Sequence, residues 1–587
     1  MKHQRGDFSR NSRILFLSAV ALAIGFIAAF VAKLLLLMIT LFTNIFYFGE
    51  ISFASRAPSM DHWGPFFILV PVVGGLLIGL MARFGSEKIR GHGIPEALES
   101  ILFGKSIMQP KVAVLKPLSS AISIGSGGPF GAEGPIIMTG GAIGSLIAQF
   151  LHLTSAERKT LLVSGAAAGM SAIFATPISA VFLAVELLLF EWKPRSLIPV
   201  AIASSCAALM RVHLLGSGPI FSIPQHIPFN DLALVAAAFV GLTTGVFSTL
   251  LSKTLYKLED LFQQLPIHWM WWPAIGGLVV GIGGYFQPRA LGVGYDVIGD
   301  LLKGQILTNP LLALFSMKIL VWLFALASGT SGGVLAPLLI FGCSLGSLVA
   351  PWLPGQIPSG VWALIGMGAV MGGMMRSPFT AILFCFELTQ DVNVLLPLLI
   401  ASISSYAFTV WAMRRSILTE KVARRGFDIF REYKVDPLEV ISVAEIMTKK
   451  VQTISATFPI EQIISNYFMG TTKYRGYPVT DHSNKIIGMI TASDVLSYKI
   501  QDTSSNLDCA EDLVNENVIT ILPHQSCREA AEKMATFSIG RLPVVSEENS
   551  QVIIGIVTRS DLLKSHLNHH ELEQKRERFF HLGREIK

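Results

Sequence analysis

Residues 125–151 read GSGGPFGAEGPIIMTGGAIGSLIAQFL, and residues 328–353 read SGTSGGVLAPLLIFGCSLGSLVAPWL. At an offset of 202, Gly131 meets Gly333, Pro135 meets Pro337, Gly140 meets Gly342, and Gly144-Ser145-Leu146 meets Gly346-Ser347-Leu348. The same offset pairs Pro71 with Pro273 and Gly74-Gly75 with Gly276-Gly277. At 201, Pro177 meets Pro378 and Glu186-Leu187 meets Glu387-Leu388. One offset kept over more than 100 residues marks an internal duplication. The halves fall at about 64–210 and 266–412.

Both halves are apolar and cut by Gly and Pro every dozen or so residues, as at Gly91–Pro95, Gly125–Pro135, Gly329–Pro337 and Pro378. Many pieces are too short to cross a ~30 Å hydrocarbon core as straight helices. Broken helices at membrane depth survive only inside protein or along a polar cavity. That pattern suits a channel or transporter, with its substrate site near the midplane between the halves. The repeat by itself leaves open whether the halves are parallel or inverted.

Composition agrees. Of 587 residues 51% are hydrophobic and 15% charged, and mean hydropathy is +0.56. These values exclude an ordinary soluble enzyme for the whole chain, and they exclude disorder. Acidic residues number 17 in 1–414 and 23 in 415–587, so an apolar body precedes a polar tail domain. A net charge of +6 is small for this length and argues against nucleic acid as a partner. Five scattered cysteines without CxxC spacing predict neither a disulfide framework nor a metal site.

Residues 1–13 form a basic N-terminus, and Ile14–Phe48 reads as one long membrane helix, far longer than a signal-peptide core. The basic N-terminus and the cluster Arg414, Arg415, Lys421, Arg424 and Arg425 both predict a cytoplasmic side, hence an even number of crossings. The compact loops and the lack of a eukaryotic targeting signal predict a prokaryotic inner membrane.

Each Gly-rich turn leads into an apolar helix. A helix start offers free N–H groups and the positive end of its dipole, so several starts aimed at one place would bind an anion weakly enough to release it. The alternative is that the glycines only let helices pack closely. Glu133 opens one such helix. An intramembrane carboxylate is a functional candidate, here a gate that fills the anion site when charged and leaves when protonated. Glu186 and Glu387 end helices at matched positions, which favours a structural role for both.

At these residues the chain resembles the CLC family of chloride channels and chloride/proton exchangers. Gly91-His92-Gly93-Ile94-Pro95 resembles GSGIP, Gly131-Ala132-Glu133-Gly134-Pro135 resembles G(K/R)EGP, and Gly333-Val334-Leu335-Ala336-Pro337 resembles GxFxP. The resemblance covers about 14–425. It implies a homodimer with one anion path per subunit, and inverted halves of tilted, broken helices. It implies that Glu133 is the gating glutamate. Chloride would be held near His92, Gly93, Ile94, Glu133, Gly134, Val334, Leu335, Ala336 and Leu418. The chain departs from the family in several places. His92 stands for the usual Ser, Leu335 for the usual Phe, and Leu418 for the central Tyr. Leu187 stands where proton-coupled members carry an internal glutamate. An aliphatic side chain cannot relay a proton, which favours channel-like or weakly coupled flux over exchange. A protonated His92 near the anion would add charge and pH dependence; the alternative is a neutral His held by a carbonyl.

A second repeat lies at 438–500 and 508–566. Pro478 pairs with Pro543, Gly488 with Gly555, Thr491 with Thr558, and Asp494 with Asp561. Each unit reads as helix, strand, turn, strand, helix. The tail resembles a CBS pair, which implies an adenine nucleotide as candidate ligand of Thr491, Asp494, Thr558 and Asp561. The alternative is plain helix capping by these residues. No other cofactor is expected. Residues 567–587 form a charged tail. The expected fold is thus an all-α polytopic membrane body plus a cytoplasmic α/β domain. Two rivals are set aside. A CBS-containing cation transporter would carry clustered acidic residues in its spans. A membrane-anchored nucleotide sensor would need neither the repeat nor Glu133.

Overall fold

The computed structural model describes residues 13–58, 64–218, 220–221, 229–306, 308–355, 357–427, 429, 438, 441–469, 474–500, 508–514, 518–547 and 551–564. The basic N-terminus before Arg13 and the tail after 566 lie outside these residues. The chain divides into a membrane unit ending at Tyr433 and a tail unit beginning at Lys434.

The membrane unit is all helical. Its first half runs α1 (Arg13–Phe48), α2 (Leu69–Phe84), α3 (Ile94–Leu102), α4 (Pro110–Gly125), α5 (Glu133–Phe150), α6 (Ser155–Phe174), α7 (Pro177–Leu183, continued by a π-helical stretch Ala184–Leu189) and α8 (Pro194–Leu215). The second runs α9 (Asp231–Gln263), α10 (Trp272–Phe286), α11 (Tyr295–Leu302), α12 (Thr308–Ala327), α13 (Leu335–Val349), α14 (Ser359–Met375), α15 (Pro378–Thr389) and α16 (Leu395–Ala412). A short α17 (Ile417–Ala423) closes the unit. Among the described residues, seven helices are long and apolar enough to cross a membrane, and three shorter apolar ones lie between them. The single long helix expected at the N-terminus is α1, with 36 residues.

The halves match helix for helix, and the structure makes each longer than the sequence repeat indicated. Gly25 on α1 packs on the Ala203 backbone of α8, and Gly241 on α9 packs on the Ala401 backbone of α16. So α1 and α9 belong to the repeat as well. Close packing there needs only a small residue on each long helix, and the rest of the sequence has drifted.

Contacts between the halves are reciprocal. Gly75 lies on the Pro273 carbonyl, and Gly277 on the Pro71 carbonyl; Gly79 lies on Met270, and Gly281 on Ile68. A Cβ at any of the four would collide with backbone. As the number rises along α2 it falls along α10, so equivalent helices run antiparallel. The halves are therefore inverted, which settles the question the repeat left open. Glu186 and Glu387 add a second reciprocal contact between the halves. Glu186 accepts from Phe379 N (3.3 Å) and Thr380 N (2.8 Å) at the start of α15. Glu387 accepts from Ile178 N (2.9 Å) and Ser179 N (2.8 Å) at the start of α7. Each carboxylate caps the other half's helix, the structural role expected of the pair.

Helix starts carry proline where a missing N–H costs nothing, at Pro110, Pro177, Pro194 and Pro378. α14 is buried all round, from Gly360 to Met375, whereas α9 exposes Leu232, Val235, Phe239, Leu242, Val246 and Leu250 at helical spacing. A helix apolar on its outer face suits lipid or a second subunit as neighbour, not water.

The tail unit follows its sequence reading. β1 (Ile454–Ser455) pairs parallel with β2 (Gly476–Thr480), which pairs antiparallel with β3 (Ile486–Thr491) before α18 (Ala492–Ile500). In the second motif α19 (Cys527–Thr536) precedes the antiparallel pair β4 (Arg541–Val545) and β5 (Ile553–Thr558), with helix again at 559–564. Both hairpins carry a register shift at the same place, Val479/Thr480 and Val544/Val545.

Candidate functional site

The site is assembled from three Gly-rich turns. Gly91 and Ser331 form an isolated parallel bridge, with Gly91 N donating to Thr330 O (3.2 Å) and Gly332 N to Gly91 O (3.3 Å). Gly131 and Gly333 form an antiparallel bridge and exchange both bonds, at 3.0 and 2.9 Å. Gly131 and Gly333 are repeat equivalents, so this bridge lies on the two-fold. It brings together the starts of α3, α5 and α13. Gly134 packs against the His92 carbonyl and the Gly333 Cα, which leaves no room for a side chain. Three helix starts thus face one spot in the protein interior, where their dipoles favour an anion. Among the described hydrogen bonds, the amides of Ile94, Gly134, Val334 and Leu335 have no partner. Gly93 differs: its N–H donates to Glu96 Oε2 (3.0 Å), so that predicted amide is already taken.

Glu133 is fully buried as the first residue of α5. Its carboxylate lies beside Gly333 and faces the Ala336 amide at the start of α13. Tyr295 donates its hydroxyl to Glu133 Oε1 at 2.9 Å, while Oε2 has no hydrogen-bond partner. The carboxylate therefore lies buried among the converging helix starts.

His92 is buried, and its Nδ1 has no partner. The neutral histidine held by a carbonyl is thus not what is seen through that nitrogen. Glu96, Lys116, Lys421 and Arg425 are the charged groups around it. Leu335 is buried at the start of α13. Leu418 is fully buried at the start of α17, which packs on α3 and is pinned by the Tyr256 hydroxyl on the Ile417 carbonyl. Leu187 is fully buried in the π-helical stretch.

Two groups of functional weight were missed in the sequence. Lys116 and Lys318, equivalent at 202, are both fully buried. Lys116 Nζ donates to Ile89 O (2.9 Å), Gly91 O (2.7 Å) and Ser331 Oγ (3.1 Å). Lys318 Nζ donates to Ala290 O and Gly292 O, both at 2.9 Å. Two lysines at the repeat offset inside apolar helices were the available signal. The second miss is Tyr295. At 201, Gly91-His92-Gly93-Ile94 meets Gly292-Val293-Gly294-Tyr295, so the turn before α11 copies the turn before α3. All four glycines have φ between +61 and +90°, open to them without a Cβ penalty.

A cavity of about 460 Å³ adjoins the first turn, lined by Glu87, Arg90, Glu96, Glu259, Lys421 and Arg425 among others. Its charges are largely paired, Arg425 with Glu96 (2.5 Å) and Glu99 (2.8 Å) and Lys421 with Glu259 (3.3 Å), while the Arg90 guanidinium stacks on Trp269. In the tail, Asp494 Oδ2 accepts from Thr491 N (2.7 Å) and Oγ1 (2.6 Å), and Asp561 Oδ2 from Thr558 N (2.9 Å) and Oγ1 (2.7 Å). Each Thr–Asp pair first serves its own helix start.

Known proteins resemble this chain in sequence and in fold. The voltage gated chloride channel family model matches residues 74–410, and the CBS domain model matches 443–500 and 510–568. The H(+)/Cl(-) exchange transporter ClcA of Klebsiella pneumoniae subsp. pneumoniae is 29% identical over 426 residues, 68% of this chain and 88% of that one. A slow cyanobacterial Cl-/H+ antiporter of known structure superposes with a TM-score of 0.63 at 23% identity, over 71% of this chain and 99% of that one. A eukaryotic CLC transporter superposes with a TM-score of 0.63 at 18% identity, over 93% of this chain and 98% of that one. With its matched family model, its duplicated broken-helix body and its buried glutamate, the chain belongs to the voltage-gated chloride channel (CLC) family of membrane anion transporters, with a CBS-domain pair following in sequence.

Proposed function

We propose that this chain carries chloride across a prokaryotic inner membrane through the three-turn site, that Glu133 gates the path, and that flux is channel-like or weakly coupled to protons. The observation that carries the reading is the Glu133 carboxylate buried among converging helix starts. Carboxylate and chloride compete for one set of amides, so the path opens when the carboxylate leaves. Weak coupling is supported by Leu187, an aliphatic group at the position of the proton-relaying glutamate. Both termini of the body are assigned to the cytoplasm, supported by the basic residues at either end and by inversion of the halves. A homodimer is supported by the apolar outer faces of the long helices.

The second reading is chloride/proton exchange. It is favoured by the ClcA relative, named an H(+)/Cl(-) exchange transporter. The deciding experiment is chloride efflux from proteoliposomes with internal pH recorded. Chloride movement without proton movement supports the first reading, and proton pumping against its gradient supports the second. Glu133→Ala is expected to raise chloride flux and remove its pH dependence; unchanged gating would overturn the role of Glu133.

For the tail pair we propose an adenine nucleotide as ligand. Each carboxylate spends Oδ2 on its threonine and keeps Oδ1 for a ribose hydroxyl. Titration of the purified protein with ATP, ADP and AMP by calorimetry tests it, and no heat with any of them would leave helix capping as the role of these residues.

A further inference from the structure

The duplication supplies an internal control for the gate. Glu133 opens α5 and Tyr295 opens α11, and their side chains meet at 2.9 Å. The equivalent residues across the two-fold are Leu335, which opens α13, and Ile94, which opens α3. So the same scaffold folds with two aliphatic residues at one place and a carboxylate with a phenol at the other. Folding does not demand the polar pair. A buried phenol donating to a buried carboxylate is instead a local, charge-assisted bond.

The tyrosine is held by other means. Its ring packs edge-on against Phe174 at 6.1 Å, and Phe174 packs edge-on against Phe384 at 4.9 Å. The turn below it is fixed by Gly294 at φ +78° and by the Lys318 bonds to Ala290 and Gly292. The hydroxyl is thus free to serve Glu133 alone, and it is the only side-chain donor on that carboxylate among the described residues. The bond also joins the halves, with the gate on the first and the phenol on the second. Inversion places the turn at 292–295 on the opposite side of the midplane from the turn at 91–94.

We propose that Tyr295 is a latch. Its hydroxyl holds the Glu133 carboxylate in the closed position from the side opposite His92, and loss of that bond sets how often the path opens. Tyr295 is a positioning residue acting through Glu133, so the inference rests on the gate reading above. When the carboxylate swings away, the O–H···O contact breaks and the phenol keeps its proton.

The test is a two-residue cycle read as chloride efflux from proteoliposomes at fixed pH, with native protein, Tyr295→Phe, Glu133→Ala and the double variant. Phe keeps the ring and its contact with Phe174, so only the hydroxyl is lost. A hydrogen bond to a charged group predicts about a tenfold faster efflux for Tyr295→Phe. In the Glu133→Ala background the same change is expected to do nothing, because no carboxylate remains to hold. A Tyr295→Phe rate equal to native, with Glu133→Ala raised, overturns the latch and leaves the gate standing. An equal effect in both backgrounds overturns it too, since the hydroxyl would then act on the path itself. A Glu133→Ala rate equal to native refutes the gate reading separately.

Discussion

The turns at 91–94 and 292–295 have one backbone and two chemistries. Both place glycines at positive φ, both are clamped by a buried lysine, and both launch a short helix. Both are also tied to the other half, by Gly91 N on Thr330 O (3.2 Å) and Gly292 N on Gly127 O (3.1 Å). Yet one presents His92 and Ile94, and the other Val293 and Tyr295. The backbone repeats one geometry, while single side chains give each turn its own chemistry. Symmetry in the scaffold and asymmetry in the side chains are separate layers of the design.

Three pairs of changes would break or sharpen that comparison. The largest effect is expected from the lysines. Lys116→Met strands the Ile89 carbonyl, while Gly91 O keeps Gly332 N and Ser331 Oγ keeps the Ser119 and Ser120 hydroxyls; Lys318→Met strands the Ala290 and Gly292 carbonyls. Leaving buried acceptors unpaired should lower stability by roughly 3 kcal/mol at Lys318 and somewhat less at Lys116. Thermal loss of the monodisperse gel-filtration peak in detergent would measure it, and equal melting of variants and native protein would mean the clamps are idle. Next come Gly93→Ala and Gly294→Ala, each forcing an alanine into φ +90° or +78° at about 1–2 kcal/mol. Gly93→Ala should be the worse, because its Cβ would meet the Gly134 carbonyl, a rigid neighbour. The Cβ at Gly294 meets the end of the Ile340 side chain, which can move. The same melting assay orders the two. The smallest effect is in selectivity: His92→Ser should change chloride preference over nitrate by about a few-fold, the scale of one hydrogen bond. Val293→Ser, at the matched place in the other turn, should change it less. Paired efflux measurements with the two anions decide this.

The architecture was legible because duplication leaves matched Gly and Pro in register, and these residues are fixed by backbone contact. Gly75, Gly140 and Gly333 are examples, each packed against main chain where no other residue fits. The kinship of α1 and α9 escaped notice because long lipid-facing helices tolerate almost any apolar residue, so little more than Gly25 and Gly241 marks it. Glu133 was legible as a charge in an apolar run. Tyr295 was not, since a tyrosine at a helix start carries no signal until the fold sets it against the carboxylate. Gly93 shows the opposite error. The motif named its amide as an anion donor, and only the structure shows Glu96 folded back upon it.

The reciprocal bonds of Glu186 and Glu387 have the form of an isologous subunit interface: the same patch used twice about a two-fold, with each surface completing its copy. A single polypeptide thus behaves as a fused pair of protomers. Severing the chain between Leu215 and Asp231 should then yield two fragments that find each other again in the bilayer through the reciprocal contacts of the two halves.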